Sequence, residues 1–287
     1  MIPAPFDYHA PTSVEEALRL LAEVGGSGQD VKVLGGGQSL LPVLRLRLAA
    51  PEVVVDLGRI DALRGVRDEG EAIVIGAMTT HDTVTRDPLV RQHALLLAAA
   101  SETVADPQVR HRGTFGGALV HADPAGDLLA PALALDAELV IAGPSGRRTV
   151  PAAEFFQDFF TTSVQEGELL VEVRVPRYTG WGAAYEKFSR VAQAWSVVAV
   201  AAAVRVEGGT IAEARIGLTN MGSTPLRARA VEDALTGQQL SDEVVRAAAA
   251  KAADGANPPS DLNGDADYRR HLSTVLTRRA VLTAAGA

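Results

Sequence analysis

The feature that most restricts the fold is a short apolar run that leads directly into three glycines. Val31–Leu34 has the pattern of a short buried strand, and Gly35, Gly36 and Gly37 follow it at once. Glycines there let backbone N–H groups approach an anion closely, and Ser39 adds a hydroxyl donor. The same glycines suit a tight turn with positive φ, so a turn and a phosphate site are equally favoured by this motif alone.

A second glycine-rich motif lies within a long polar stretch at residues 105–127. It reads Gly113-Thr114-Phe115-Gly116-Gly117, and irregular segments of this length inside a domain are usually functional. Two such loops are expected to close on a diphosphate from both sides. A bulky acidic side chain at Gly36 or Gly116 is therefore expected to abolish binding by clashing with the diphosphate and repelling it.

Three other positions carry candidate roles beside their structural alternatives. Asp127 precedes an apolar helical run, so its carboxylate is placed either to accept hydrogen bonds from sugar hydroxyls or to cap that helix. Lys187 lies in a predicted strand, where it either offsets the charge of a reduced cofactor ring or is simply a solvated lysine. Trp195 is expected in the core.

Composition excludes several classes of function. The 287 residues contain no cysteine, so an iron–sulfur cluster cannot be held by thiolates of this chain and must lie on another one. With 35 acidic and 27 basic residues, the net charge of -8 has the wrong sign for nucleic-acid binding. The histidines lack ligand spacing, so no metal is expected. Without a leader-like start or an apolar run of about 18 residues, we expect a cytoplasmic protein with no membrane span.

The order of the predicted elements indicates an α+β fold in two domains. Strands and helices alternate up to Pro176, and a series of strands followed by three helical segments comes after it. The boundary is expected at residues 178–181. This gives a first domain at residues 1–178 and a smaller second domain at residues 179–287.

Several motifs together resemble a known family, the FAD-binding medium subunits of the xanthine dehydrogenase group and particularly those of the carbon monoxide dehydrogenase type. Residues 34–42 are similar to the family's first FAD motif, and residues 108–119 are similar to the second. Residues 121–128, 185–190 and 215–229 extend the resemblance over almost the whole chain. Two departures are His111, where relatives often carry Asn, and Phe115, where Ile or Val is common.

The resemblance implies a two-part FAD-binding domain of the vanillyl-alcohol-oxidase-like (PCMH) type, followed by a C-terminal domain of the CO dehydrogenase flavoprotein type. It implies that backbone groups of residues 35–39 and 114–117 hold the diphosphate, Asp127 the sugar hydroxyls, and Leu170 and Lys187 the border of the flavin ring. FAD is expected to bind non-covalently, because no histidine lies in a flavinylation motif. The implied cofactor-binding residues are Leu34, Gly35, Gly36, Gly37, Gln38, Ser39, Leu40, Thr114, Phe115, Gly116, Gly117, Asp127, Leu170 and Lys187.

The resemblance also implies a place in a larger complex. A large subunit would oxidise substrate at a molybdenum-cytosine-dinucleotide centre, and [2Fe-2S] clusters of a small subunit would pass electrons to FAD on this chain and then to an external acceptor. The expected assembly is a dimer of heterotrimers, and carbon monoxide, aldehydes and N-heterocycles all remain open as substrates. Two alternatives remain: a self-contained FAD-dependent oxidase or reductase, and a non-enzymatic nucleotide-binding assembly module.

Overall fold

The computed structural model describes residues 2–287, and its N-terminal part is a small parallel sheet that carries the first glycine motif. The strands lie in the order β1-β3-β2, and both neighbouring pairs are parallel. Helix α1 starts where the Ser13 side chain accepts a hydrogen bond from the Glu16 N–H at 3.1 Å. The elements are β1 (Asp7–His9), α1 (Val14–Gly26), β2 (Val31–Leu34), α2 (Leu40–Arg45) and β3 (Val53–Asp56).

Strand β2 has the predicted limits but not the predicted burial. Lys32 and Val33 are both exposed, because β2 is an edge strand with β3 as its single neighbour in the sheet. The apolar face of α1 packs instead against the central strand β3, whose Val53 and Val55 are buried. The strand that leads into the glycines therefore has a side open to solvent.

The second part of the N-terminal half is a five-stranded antiparallel sheet in the order β4-β5-β10-β6-β7. One face packs against the helices around Phe115, and the opposite face packs against the core beneath α1. Side chains alternate between these cores along β6, with Ile141 on one side and Val140 on the other. The elements are β4 (Val66–Asp68), β5 (Ala72–Gly76), α3 (His81–Arg86), α4 (Pro88–His93), α5 (Leu95–Glu102), α6 (Pro107–Arg110), α7 (Phe115–His121), α8 (Leu129–Ala134), β6 (Glu138–Gly143), β7 (Gly146–Pro151), α9 (Ala152–Phe155), β8 (Phe156–Asp158), β9 (Thr161–Thr162) and β10 (Leu169–Pro176).

The stretch at residues 105–127 is less irregular than the sequence suggests. It contains α6 and α7, and α7 begins inside the second glycine motif. Phe115 and Leu119 lie four positions apart on one face of α7, and both are fully buried. Gly116 and Gly117 have poor helix propensity, so the sequence favours a loop there. The burial of Phe115 and Leu119 outweighs that propensity and stabilises the helix.

The C-terminal part is an antiparallel sheet covered on one face by three helices, as predicted for an α+β module. The strand order is β11-β12-β13-β14. Along β12, Ala201 and Ala203 face the core of the N-terminal half, whereas Val200 and Val204 face the core beneath the helices. The elements are β11 (Gly182–Phe188), β12 (Val198–Glu207), β13 (Thr210–Thr219), β14 (Leu226–Arg227), α10 (Arg229–Leu235), α11 (Asp242–Ala249) and α12 (Ala266–Ala285).

The α+β fold class and the two-domain organisation predicted from the sequence are confirmed. The C-terminal sheet is thus sandwiched between its own helices and the first domain. Within residues 2–287, none of the helices combines the length and the apolar composition required to cross a bilayer.

Candidate cofactor site

The two glycine motifs lie directly against each other. A Cβ atom on Gly36 would lie 2.1 Å from the carbonyl oxygen of Arg112, and one on Gly35 would lie 3.0 Å from the Thr114 hydroxyl oxygen. Gly37 has a φ of 77°, in the left-handed region that favours glycine. The first motif therefore needs glycine because the backbone of the second motif occupies the space of a side chain.

The glycines of the second motif are also packed against protein. A Cβ atom on Gly116 would lie 2.6 Å from the Cβ of Ala77, just beyond the end of β5, and one on Gly117 would lie 2.5 Å from Thr114 Oγ1. A large side chain at Gly36 or Gly116 would thus meet protein atoms before it met a bound diphosphate. Such a side chain would therefore disturb the packing of the loops in addition to any clash with a diphosphate.

The first motif offers a row of free hydrogen-bond donors. Among residues 2–287, no protein group accepts a hydrogen bond from the backbone N–H groups of residues 36–40. The hydrogen bonds of α2 begin with the Leu41 N–H, which donates to the Gly37 carbonyl oxygen at 3.1 Å, and the Ser39 side chain does not cap the helix. Consecutive free N–H groups of this kind form anion-binding concavities.

The second motif contributes a buried hydroxyl rather than a row of amides. The N–H groups of Phe115 and Gly116 already donate to the carbonyl oxygens of Thr79 and Ala77, at 2.8 and 2.9 Å. Neither residue has another hydrogen-bond donor, because the Phe115 side chain, which lies in the core, is apolar and Gly116 has no side chain. Thr114 is 4% exposed, and its Oγ1 has no hydrogen-bond partner among the described residues. A buried hydroxyl without a partner costs stability unless a ligand completes its hydrogen bond.

Asp127 is the centre of a hydrogen-bond network that joins the two halves of the chain. Its Oδ1 accepts from the Tyr185 hydroxyl at 2.9 Å and from Ser196 Oγ at 2.8 Å. Its Oδ2 accepts from Lys187 Nζ at 2.7 Å, and the same Nζ donates to the Thr103 carbonyl oxygen at 3.2 Å. Tyr185, Lys187 and Ser196 all follow residue 178, whereas Asp127 and Thr103 precede it.

The geometry of this network excludes the structural alternatives considered for Asp127 and Lys187. Helix α8 begins at Leu129 without any side-chain cap, so Asp127 is not the N-cap residue. The Lys187 side chain is 10% exposed and paired with Asp127, so it is not a solvated strand lysine.

Trp195, expected in the core, is 55% exposed, because it lies in the irregular segment between β11 and β12.

The charges of the network are set by burial and by each other. Burial raises the pKa of the Asp127 carboxyl above its usual range, while the nearby Lys187 ammonium acts in the opposite direction. Every side chain around the carboxyl presents a hydrogen to it, which is the arrangement that a carboxylate accepts. Burial and the Asp127 charge raise the pKa of Tyr185 well above its usual range, so its hydroxyl stays a donor.

Leu34, Gln38 and Leu170, the other residues predicted for the site, differ in their burial and in their position relative to the two glycine motifs. Leu34 is half-buried at the end of β2, whereas Gln38 is exposed and donates its side-chain amide to the Gly36 carbonyl oxygen at 3.1 Å. Leu170 is 5% exposed in β10 and belongs to the core. The next residue along β10, Val171, accepts a hydrogen bond from Ala77, so Leu170 lies near the second motif but beneath its surface.

Two residues at the site, His81 and Ser196, were not singled out from the sequence. His81 is 4% exposed, and its backbone N–H donates to the Gly113 carbonyl oxygen at 3.0 Å. Burial lowers the pKa of His81 to about 4, so the ring is neutral. Tyr185 shares a face of β11 with Lys187, two positions on, and this spacing is a signal for it. No sequence signal points to Ser196 or to His81.

Comparison with known proteins identifies the family. Residues 4–178 match the FAD binding domain in molybdopterin dehydrogenase, and residues 183–284 match the CO dehydrogenase flavoprotein C-terminal domain. The medium chain of carbon monoxide dehydrogenase from Hydrogenophaga pseudoflava is 44% identical over 98% of this chain and 97% of its own length. The 6-hydroxypseudooxynicotine dehydrogenase complex subunit alpha from Paenarthrobacter nicotinovorans is 38% identical over 99% and 96%.

Solved structures agree with these sequence matches. Carbon monoxide dehydrogenase from Hydrogenophaga pseudoflava superimposes with a TM-score of 0.95 at 46% identity, covering 100% of this chain and 99% of that one. Quinoline 2-oxidoreductase from Pseudomonas putida 86 gives a TM-score of 0.94 at 32% identity with the same coverage. The chain therefore belongs to the FAD-binding medium subunits of the molybdenum hydroxylases, the family of carbon monoxide dehydrogenase and xanthine dehydrogenase.

Proposed function

We propose that this chain binds FAD non-covalently and carries electrons out of a heterotrimeric molybdenum hydroxylase or dehydrogenase. Electrons reach it from [2Fe-2S] clusters of a small subunit and leave for an external acceptor. Substrate is oxidised on a large subunit at a molybdenum-cytosine-dinucleotide centre. The complex is a cytoplasmic dimer of heterotrimers, and the chain divides into an FAD-binding domain at residues 1–178 and a C-terminal flavoprotein domain at residues 179–287.

The observation that carries this proposal is the pairing of free donors at the two glycine motifs. The first motif has unbonded N–H groups at residues 36–40, and its Gly35 packs against the buried, unpartnered hydroxyl of Thr114. A diphosphate supplies several negatively charged acceptor oxygens, which suits such a set of donors. The fit supports an FAD diphosphate between the motifs, in a domain whose family model is described as FAD-binding.

The proposed site includes all the residues assigned to it from the resemblance, with roles adjusted to their geometry. Gly36, Gly37, Gln38, Ser39 and Leu40 donate backbone N–H groups, and Thr114 adds its hydroxyl. Gly35, Phe115, Gly116 and Gly117 shape the two loops, and Leu34 and Leu170 supply apolar contacts below them. Lys187 directs its ammonium at the flavin ring, with Asp127 beside it.

The division of labour between subunits follows from the chemistry that this chain lacks. It has no cysteine, so the clusters that deliver electrons belong to a partner. When bound, FAD supplies the redox chemistry, and the residues of this chain bind it, orient it and set the charge around it. Relatives named for carbon monoxide, 6-hydroxypseudooxynicotine and quinoline match along the whole chain, which supports substrate selection on another subunit.

Cofactor content provides the first test. The full chain, purified alone and after addition of FAD, is expected to carry flavin that acid or heat releases completely into solution. Absence of FAD from both preparations would overturn the proposal. Flavin that stays on the denatured chain would contradict the non-covalent link. Turnover of a substrate by the isolated chain with an artificial acceptor would favour a self-contained oxidase or reductase instead.

The electron path requires a test in the assembled complex. The complex should be purified through this chain and prepared with and without FAD. In the FAD-free complex, substrate is expected to reduce the [2Fe-2S] clusters, seen by electron paramagnetic resonance, while reduction of the external acceptor stops. Restoring FAD should restore acceptor reduction. Equal acceptor reduction in both preparations would show that electrons leave by another route and would overturn the assigned role.

A further inference from the structure

We infer that His81 is a positioning residue for the diphosphate site. Its ring supports Gly113 of the second glycine motif, and Gly113 in turn supports Gly36 of the first. The inference rests on the proposed FAD site and goes beyond it, because it gives a role to a side chain that acts on the cofactor only through the two motifs.

The His81 ring lies so close to Gly113 that no side chain fits between them. A Cβ atom on Gly113 would lie 2.8 Å from the ring carbon Cδ2 and 3.0 Å from Nε2. Gly113 does not have a positive φ, so its backbone conformation alone would accept alanine. The close approach of the ring is therefore a main reason why this position requires glycine.

The backbone that carries His81 runs beside the second motif and fixes where the ring lies. The His81 N–H donates to the Gly113 carbonyl oxygen at 3.0 Å, and the Gly116 N–H donates to the Ala77 carbonyl oxygen at 2.9 Å. The motif is thus attached at both ends to the segment from Ala77 to His81. Because both attachments are made by backbone groups, they leave the His81 side chain free to act by its shape.

Gly113 passes the position of the ring on to the first motif. A Cβ atom on Gly36 would lie 2.6 Å from the Gly113 Cα, closer than a methyl group allows. The order of contact is therefore the His81 ring, then Gly113, then Gly36. The backbone N–H groups of residues 36–40, which no protein group accepts, begin at the end of this series. A displacement of Gly113 consequently displaces the donors assigned to the diphosphate.

The ring acts here by shape rather than by charge or hydrogen bonding. Its Nδ1 is buried without a hydrogen-bond partner among the described residues, which costs stability. Burial lowers the pKa of His81 to about 4, and the positive charge of Arg110 in α6 acts in the same direction, so the ring is neutral. The chain keeps a planar ring at this position despite the unbonded nitrogen, which fits a requirement for its shape.

Exchanging volume between the ring and the glycine tests the support directly. The full chain, stripped of flavin, is titrated with FAD as wild type, His81→Ala, Gly113→Ala and the double variant. Removing the ring, or placing a methyl group against it, should weaken FAD binding about tenfold, within the range of coupling between contacting residues. In the double variant the methyl group occupies space that the ring has left, so FAD should bind more tightly than to either single variant. A double variant that binds FAD no better than the single variants would overturn the inference.

Val84→Ala is the control for a general loss of stability in α3. Val84 is fully buried in the same helix and belongs to the apolar core. Its truncation should lower the melting temperature of the FAD-free chain and leave the Kd for FAD unchanged. If Val84→Ala weakens FAD binding as much as His81→Ala does, the effect comes from lost stability and the positioning role is overturned.

The outcomes separate the inference from the proposed function. A wild-type chain that does not bind FAD overturns both. A chain that binds FAD, with His81→Ala and Gly113→Ala at the wild-type Kd, overturns the positioning role alone. Thermal unfolding of each FAD-free variant shows whether it is folded. If His81→Ala does not fold, His81→Asn, which also removes the ring, takes its place in the titration with the same expected loss.

Discussion

Gly36 lies so close to Arg112 that a methyl group on Gly36 would be 2.1 Å from the Arg112 carbonyl oxygen. That distance is far inside normal van der Waals contact, so the two glycine motifs form one packed unit. The free N–H groups of the first motif are therefore held in place by the backbone of the second. Several consequences of this packing and of the buried groups around it are open to measurement.

Gly36→Ala is expected to destabilise the protein by about 1–3 kcal/mol, the usual cost of overpacking, and to weaken FAD binding as the loops separate. Gly26→Ala is the matched control, because a Cβ atom on Gly26 meets nothing within 4 Å at the end of α1. That change should be neutral or mildly stabilising. Urea unfolding of the FAD-free chain measures both. Equal stabilities for the two variants would show that the close approach imposes no constraint.

Thr114→Val is expected to weaken FAD binding while leaving the FAD-free protein as stable as the wild type or more so. The change replaces a buried, unpartnered hydroxyl with a methyl group of similar shape. A lost hydrogen bond to a charged phosphate costs about 1.5–3 kcal/mol, which corresponds to roughly a 10- to 100-fold rise in Kd.

Thr277→Val provides the control for that exchange. Thr277 is fully buried in α12, and its hydroxyl also lacks a partner among the described residues. Its substitution should produce the same change in unfolding free energy with no change in the Kd for FAD. If both variants bind FAD like the wild type, the Thr114 hydroxyl has no part in the site.

The FAD-free protein is expected to lose stability below about pH 6.5 through His81. Its folded pKa is lowered to about 4 by burial, whereas the unfolded chain takes up a proton near the ordinary value of about 6.5. The neutral ring therefore stabilises the fold fully above that value, and this contribution is lost as the pH falls toward 4. It amounts to at most about 3 kcal/mol.

Thermal unfolding between pH 7.5 and 4.5 tests this contribution. His81→Asn removes the titrating group, so its melting temperature should fall less steeply with acid than that of the wild type. His271→Asn, at an exposed histidine of α12, should follow the wild-type curve. Identical pH profiles for wild type and His81→Asn would assign the acid sensitivity to other groups.

Arg269→Met is expected to cost about 1–3 kcal/mol of unfolding free energy, because the buried Val197 carbonyl oxygen loses the guanidinium that donates to it. The Arg269 side chain is 0% exposed, pairs with Asp261 at 2.8 Å, and also donates to the Val197 carbonyl oxygen next to Ser196. Arg270→Met, one position along, removes an exposed pair with Asp267 and should cost less than about 1 kcal/mol. Similar losses measured by urea unfolding would contradict the importance of burial.

The sequence predicts the strands and the C-terminal helices well, because apolar periodicity and turn residues are local signals. Val31–Leu34 has its predicted limits, and a series of strands followed by three helices comes after Pro176 as expected. The start of α7 was missed, because its glycines are poor helix formers and its helical state depends on the burial of Phe115.

The site was harder to predict than the fold. The motifs indicate an anion site, but the contact between Gly36 and Arg112 joins residues far apart in the chain, which no local pattern reveals. Asp127 was identified with two alternative roles, and neither includes the three side chains that surround it. His81 and Ser196 lie at the site only because of tertiary packing, so sequence periodicity carries no trace of their roles.

The network around Asp127 has a consequence for exchanging parts between related enzymes. The carboxylate belongs to one domain, and its three hydrogen-bond partners, Tyr185, Lys187 and Ser196, belong to the other. A chimaera with a C-terminal domain from another protein will preserve this hydrogen-bond network only if that domain carries the same three side chains at the matching positions. Exchange of either domain of this chain is therefore constrained by one acid whose hydrogen bonds span both domains, and the two domains must be redesigned together.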